Sequence, residues 1–455
     1  MSAIDLTTRR AFLHRGLTLI GAAATVPTFI ERTAWAAGPA EGQRIGARPG
    51  VPEDHVLVIL QLAGGNDGLN TVVPVGNDAY YRSRPRLGID RKTALRLDDS
   101  FSLHPALTGL KSLYDDGVLG IVHGVGYPNP NRSHFKSTDI WETASPEGRY
   151  YTGWVGRYFD HTCQGQDPPN PQFGIAVRKE APLAMRGQRF MPVSFERPES
   201  LTWNGDRRGP AQPPPRNPRG NARNRRRVGP ARGGDMPADG SLRENFEELN
   251  QPAAGESKPL TELAYLQRTA MDARLSAADI QSAAGGQAPV PYPQNPLAGP
   301  LRTVARMINS KLPTRIYYVT QGGYDTHSGQ QNRHQQLLTQ LGDSLKAFVA
   351  DLKATGQFGR VTIMTFSEFG RRVAENASGG TDHGAAAPLF VLGPKVKPGL
   401  HGQPCDLEDL DRGDLKFTTD FRNVYAAMLT DWLGADARAI LGPGHAPMPI
   451  LSPRG

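Results

Sequence analysis

Five short apolar runs constrain the fold of this chain more than any other feature. They are "HVLVILQLAGG" from His55, "GVLGIVHGVG" from Gly117, "RIYYVTQGG" from Arg315, "RVTIMTFSEFG" from Arg360 and "PLFVLGP" from Pro388. Runs of this kind read as buried strands of a largely parallel sheet. Between the third and fourth lies "HQQLLTQLGDSLKAFVADLKATG". Its Leu338, Leu341, Leu345, Phe348 and Leu352 fall on one face of a helix that Gly356 stops. Strand, helix and strand at this spacing make a βαβ unit. A shorter helix, "HPALTGLKSLYDDG", precedes the second run. The pattern predicts an α/β fold with a mostly parallel central sheet.

All of these runs except the last end in a turn that carries glycine or polar side chains. Asp67 follows the first in "GGNDGLN", and Ser133 the second in "GYPNPNRSHF". Asp325 and His327 follow the third in "GGYDTH", and Glu368 lies on the fourth in "FSEFGRR". A further glycine turn, "GGTDHG", sets Asp382 beside His383. Open α/β sheets bind ligands outside the carboxyl ends of their strands, so residues far apart in the chain can meet at one edge. Carboxylates and imidazoles without a thiolate suit zinc, manganese or magnesium. Glycines ahead of the acids allow sharp turns and close approach to an ion. Ser133 precedes the helical "HFKSTDIWETA", and a hydroxyl there meets the anion-favouring end of a helix. The same position also suits an ordinary helix cap, and Asp67 between Asn66 and Gly68 equally suits a turn.

The remaining segments bear on location and partners. Residues 1–36 hold Arg9–Arg10, Phe12–Leu13, a moderately apolar run and "AWA", the shape of a twin-arginine export signal. No later segment is apolar for long enough to span a bilayer. A periplasmic or secreted protein is therefore expected, carried by the Tat export machinery and without an integral membrane segment in the mature chain. Cys163 and Cys405 are the only cysteines, so thiolate metal sites are excluded and a single disulfide is left open. The formal charge of +8 is local: residues 207–232 carry nine arginines and no acid, which leaves −1 elsewhere. That Pro/Arg-rich stretch, within 200–260, reads as a disordered insertion. Nucleic acid is a poor partner for an exported protein.

The segments "LQLAGGNDGLNTVVP", "PNRSHFKSTDIWET", "GWVGRY", "TQGGYDTHSGQ", "TFSEFGRRVAEN" and "GGTDHGAAAPLFVLG" together resemble the DUF1501 family. That family comprises exported proteins placed in the alkaline phosphatase-like superfamily with sulfatases. The resemblance spans about His55 to Gly402, leaving out the arginine insertion. It implies an alkaline phosphatase-like α/β/α sandwich over residues 54–440 and one or two divalent ions. In that pattern Asp67, Ser133 and Glu368 serve one ion and Asp325, His327 and His383 the other. Ser133 is the implied nucleophile, and Asn66, His134 and Asp382 are the implied substrate-binding residues. The departures are Asp325 and His327 two apart where four is usual, and Glu368–Phe369 in place of an Asp-His pair. No Cys/Ser-x-Pro-x-Arg motif supports formylglycine chemistry. The function implied is metal-dependent hydrolysis of a small or polymeric phosphate or sulfate ester. The alternative is a non-catalytic exported binding protein on the same fold with a degenerate metal site.

Overall fold

The computed structural model describes residues 54–163, 169–201 and 277–452. The described residues up to Ser200 and from Ala278 belong to one compact unit. Its main sheet has nine strands: β1 (Val56–Ala63), β2 (Leu119–Gly126), β3 (Gly174–Val177), β4 (Val193–Phe195), β5 (Ile316–Gly322), β6 (Val361–Phe366), β7 (Ala387–Leu392), β8 (Gly399–His401) and β9 (Thr419–Asp420). The order is β8-β2-β7-β6-β1-β5-β3-β4, with β9 also paired to β2. The helices that matter below are α1 (Thr108–Asp115), α2 (His134–Thr143), α3 (Trp154–Thr162), α4 (Ala298–Asn309), α5 (Gln330–Ala354) and α6 (Phe421–Ala427).

All five predicted strands form, and the sheet is parallel except at β7, which is antiparallel to both neighbours. The predicted βαβ unit runs β5–α5–β6, but its two strands do not touch. Both pair with β1, which lies between them. In register Ala63 faces Gly322 and Gln61 faces Phe366, so the chain leaves β1, β5 and β6 side by side. Strand β7 enters where those three leave. The "GGTDHG" turn that precedes it therefore arrives at the same edge. Strands β3 and β4, too short and mixed to stand out in the sequence, extend the β5 side.

Strands buried on both faces need apolar residues at successive positions, which is why these runs do not alternate. Leu57, Ile59, Tyr318, Met364 and Val391 on one face pack with Trp141 of α2, Trp154 and Tyr158 of α3, and Tyr425 of α6. Val58, Leu60, Tyr317 and Val319 on the other are equally buried. Helices α1 and α4 both pack against α5. The five α5 residues read from the sequence as one face are all fully buried. Each contributes on the order of 2 kcal/mol. Gly356 ends that helix in the left-handed conformation, φ +70°.

Two expectations lie outside the described residues, the export signal and the arginine insertion; residues 277–284 are helical. Cys163 and Cys405 are both free thiols, Cys163 buried. Among the described residues, no helix is long and apolar enough to cross a membrane.

Candidate metal centre

Three imidazoles and one carboxylate converge at the carboxyl edge of β1, β5 and β6. His327 Nε2 lies 2.8 Å from His383 Nε2, and each lies 3.2 Å from Asp325 Oδ1. His134 Nε2 approaches Asp325 Oδ2 to 3.5 Å. The Nδ1 atom of every one of these rings is already engaged. His383 Nδ1 donates to the carbonyl of Arg132 at 2.7 Å, and a carbonyl can only accept. His327 Nδ1 meets Asp382 Oδ1 at 3.2 Å, and His134 Nδ1 meets Glu368 Oε1 at 2.8 Å. With the protons held on Nδ1, all three Nε2 lone pairs are turned towards Asp325. Two lone pairs facing at 2.8 Å repel unless a cation lies between them. Partners of this kind behind each imidazole are what metal-ligating histidines have.

The electrostatics suit a cation. Burial alone would raise the Asp325 carboxyl, but the bond from Arg371 holds it down at about 2. Burial lowers the His383 pKa, which keeps the ring neutral and able to ligate. Asp382 is held below its usual range by the bond from Asn376, then by His327. His134, Asp325 and His383 each offer a ligand atom within 4.8 Å of one another. The donor set of nitrogen and carboxylate oxygen fits zinc or manganese.

Two glycines explain how the turns come so close. Gly64 has φ +120°, and a Cβ there would lie 2.4 Å from the backbone nitrogen of Asp325. A Cβ on Gly380 would lie 2.3 Å from the carbonyl of His327. The two glycine-rich Asp/His turns are therefore stacked backbone against backbone, and any side chain would push them apart. Arg371, fully buried, binds them together. Its guanidinium donates to the carbonyls of Gly64, Gly65, Tyr324 and Thr381 and to Asp325 Oδ1.

The expected residues do not all join this cluster. Asp325, His327 and His383 do, and Asp382 orients one of them. His134, expected to bind substrate, turns its Nε2 towards Asp325 Oδ2 at 3.5 Å. Glu368, expected as a ligand, uses Oε1 to accept from His134 and from the Gly64 amide, while its buried Oε2 has no partner. Asp67 is elsewhere in its chemistry. Its side chain is fully buried, Oδ2 accepts from Arg84 at 2.6 Å and from Gln330, and Oδ1 accepts from the Asn70 amide. Burial alone would raise its pKa, and Arg84 brings it below the usual value. Asn66 is also buried, its Oδ1 bonded to Thr71 and His334 and its Nδ2 unpartnered. Both side chains are drawn away from the cluster for one reason. The turn after β1 folds inward under the edge, so its polar side chains face α5 rather than solvent.

Ser133 sits at the N-cap position of α2, exposed, and its hydroxyl makes no cap hydrogen bond. The helix behind it is anchored, because Ser137 Oγ donates to the Glu368 carbonyl and bonds Tyr127 at 2.8 Å. Sequence reasoning missed Arg84 and Arg371. Arg371 was within reach, since it stands three residues after Glu368 in "SEFGRR"; Arg84 in "RSRPRLG" carries no comparable signal.

Solved structures with a similar layout include a protein in the alkaline phosphatase superfamily from Vibrio parahaemolyticus, 10% identical with a TM-score of 0.33, covering 91% of this chain and 76% of its own. The zinc complex of the C-terminal periplasmic domain of EcEptC from Escherichia coli is 10% identical, TM-score 0.31, covering 78% and 77%. The phosphonate monoester hydrolase SpPMH from Silicibacter pomeroyi is 12% identical, TM-score 0.31, covering 86% and 75%. No curated protein matches the chain. The family model described as "Protein of unknown function (DUF1501)" matches residues 54–442, so the chain belongs to the DUF1501 family.

Proposed function

We propose that the chain is an exported, metal-dependent hydrolase of phosphate or sulfate esters with Ser133 as nucleophile. The observation that carries the reading is the convergence of three Nε2 lone pairs on Asp325, in the loops that also carry an uncapped serine. A bound divalent ion supplies Lewis acidity, which stabilises an ester's developing charge and lowers the pKa of a nearby hydroxyl. The chain's own residues do the rest. Ser133 stands at the positive end of a ten-residue helix, which favours an anionic group beside it. Arg132, held by Asp414 through two bonds, fixes the carbonyl that orients His383. The Oε2 of Glu368 is buried there without a hydrogen-bond partner.

Purified mature protein, loaded with zinc or manganese, should hydrolyse at least one of the p-nitrophenyl esters of phosphate, sulfate or a phosphonate. Ser133→Ala should remove that turnover while ion content stays unchanged. A loaded protein inert towards all three would favour the second reading, an exported binding protein with a degenerate site. The buried Asp67–Arg84 pair is the observation on that side. Export through the Tat route belongs to the same proposal. Replacing Arg9 and Arg10 by Lys should leave precursor in the cytoplasm, and mature protein in the periplasm would refute it.

A further inference from the structure

We infer that this centre holds a single divalent ion, bound by His134, His327, His383 and Asp325, and that two buried guanidinium groups take the place of a second cation. The inference rests on the metal part of the proposed function and not on any turnover.

The ligand set follows from what each imidazole has left to offer. All three rings spend Nδ1 on an acceptor behind them and present Nε2 to Asp325. Glu368 and Asp382 are then orienting groups, not ligands, since each faces an Nδ1 atom. A second ion would need donors of its own. Asp67 has none spare: its oxygens accept from Arg84, Gln330 and the Asn70 amide, and no part of the side chain reaches solvent. Asn66 Oδ1 is likewise taken by Thr71 and His334. Of the acids in these loops, only Glu368 Oε2 is buried without a partner, and one oxygen does not make a site.

Charge closes the same way. Counting only side chains hydrogen-bonded within these loops, Asp67, Asp325, Glu368 and Asp382 bring four negative charges, and Arg84 and Arg371 bring two positive ones. Four minus two leaves two, which one divalent ion neutralises. A second ion would leave the loops at +2, partly desolvated and without an anion, an arrangement that burial penalises. Arg84 thus neutralises the acid that would face a second ion. Arg371 shares Asp325 at 2.8 Å while tying down both glycine turns.

The test counts ions. Mature protein saturated with zinc, desalted and weighed by native mass spectrometry, with elemental analysis in parallel, should carry one ion per chain. His134→Gln, His327→Gln and His383→Gln should each lose that ion under the same desalting. Asp67→Asn should keep it. Glu368→Gln should also keep it, with affinity lowered roughly 10–100-fold, the range for an orienting partner. Should a variant fail to fold, the cobalt-substituted wild-type chain reads the same question. Its visible absorption should saturate at one equivalent with the intensity of a four- or five-coordinate site. Two ions per chain, none, loss of the ion in Asp67→Asn, or full retention in His134→Gln would each overturn the inference. One ion without ester turnover would leave it standing and sink the hydrolase reading. Two ions with turnover would do the reverse.

Discussion

Asp67 and Asp325 start alike and end in opposite chemistry. Each follows a β-strand by a few residues, each comes after paired glycines, and each bonds an arginine. Yet Asp67 is 0% exposed and sealed against Arg84, while Asp325 is 48% exposed and ringed by imidazoles. The histidines differ in step with the acids. His334, bonded to Asn66 beside Asp67, is fully buried and held neutral by desolvation, its pKa lowered to about 3. The three around Asp325 turn a lone pair outward. A carboxylate in a glycine turn becomes a buried ion pair or stays open among imidazoles according to which way the turn folds over the sheet edge.

The sharpest way to break this contrast is to remove the buried partner. Arg84→Met leaves Asp67 charged and unpaired in a dry site, and should cost about 3–5 kcal/mol of unfolding free energy in urea. The double variant with Asp67→Asn should recover part of that loss. A single variant within about 1 kcal/mol of wild type would mean that Asp67 finds water or another cation.

Acid should weaken the Asp67 region next. The folded-state pKa of His334 lies below the unfolded value of 6.5, so between the two the unfolded chain binds the proton first. Its contribution is complete above pH 6.5 and is lost as pH falls towards about 3. By pH 5 the loss should reach about 2 kcal/mol. His104, lowered by burial to about 4, adds in the same direction. In His334→Gln the fall in stability between pH 7 and 5 should be visibly shallower, and an unchanged slope would show that other groups govern it.

On the Asp325 side the expected effects are smaller and appear in binding. Asp382→Asn keeps an acceptor for His327 Nδ1 but removes the charge behind it. Zinc affinity should fall by roughly 10-fold, with unfolding in the metal-free state nearly unchanged. A large loss of stability would make Asp382 a structural acid like Asp67, and the contrast would blur. Smallest of all should be deletion of residues 207–232, expected to shift unfolding by less than about 1 kcal/mol and to leave both sites intact.

Most of the sheet was legible because buried parallel strands must be apolar throughout, and the runs from His55, Arg315 and Arg360 contain little else. The α5 face was legible for the parallel reason that Leu338, Leu341, Leu345, Phe348 and Leu352 repeat at the helical period. Asp325, His327 and His383 stood out because ligand-type residues in glycine turns are uncommon at strand ends. The contact between His134 and Glu368 was not legible. It depends on which nitrogen of an imidazole faces which neighbour, and residue types do not carry that.

By itself, then, the chain's sequence determined its α/β class, five of the nine strands of its main sheet, its family and the pool of donors, because these follow from periodicity and residue chemistry along the chain. Only the tertiary structure decided that β1 lies between β5 and β6 and that β7 runs backwards. That order brings the loops ending in Asp325 and preceding His383 to one edge. It also decided that Asp67 turns inward to Arg84, because pairing a buried charge is a matter of contacts between residues 17 apart in sequence and packed beneath a third loop. Strand order and side-chain direction are set by which faces can be buried together, and no local pattern records that.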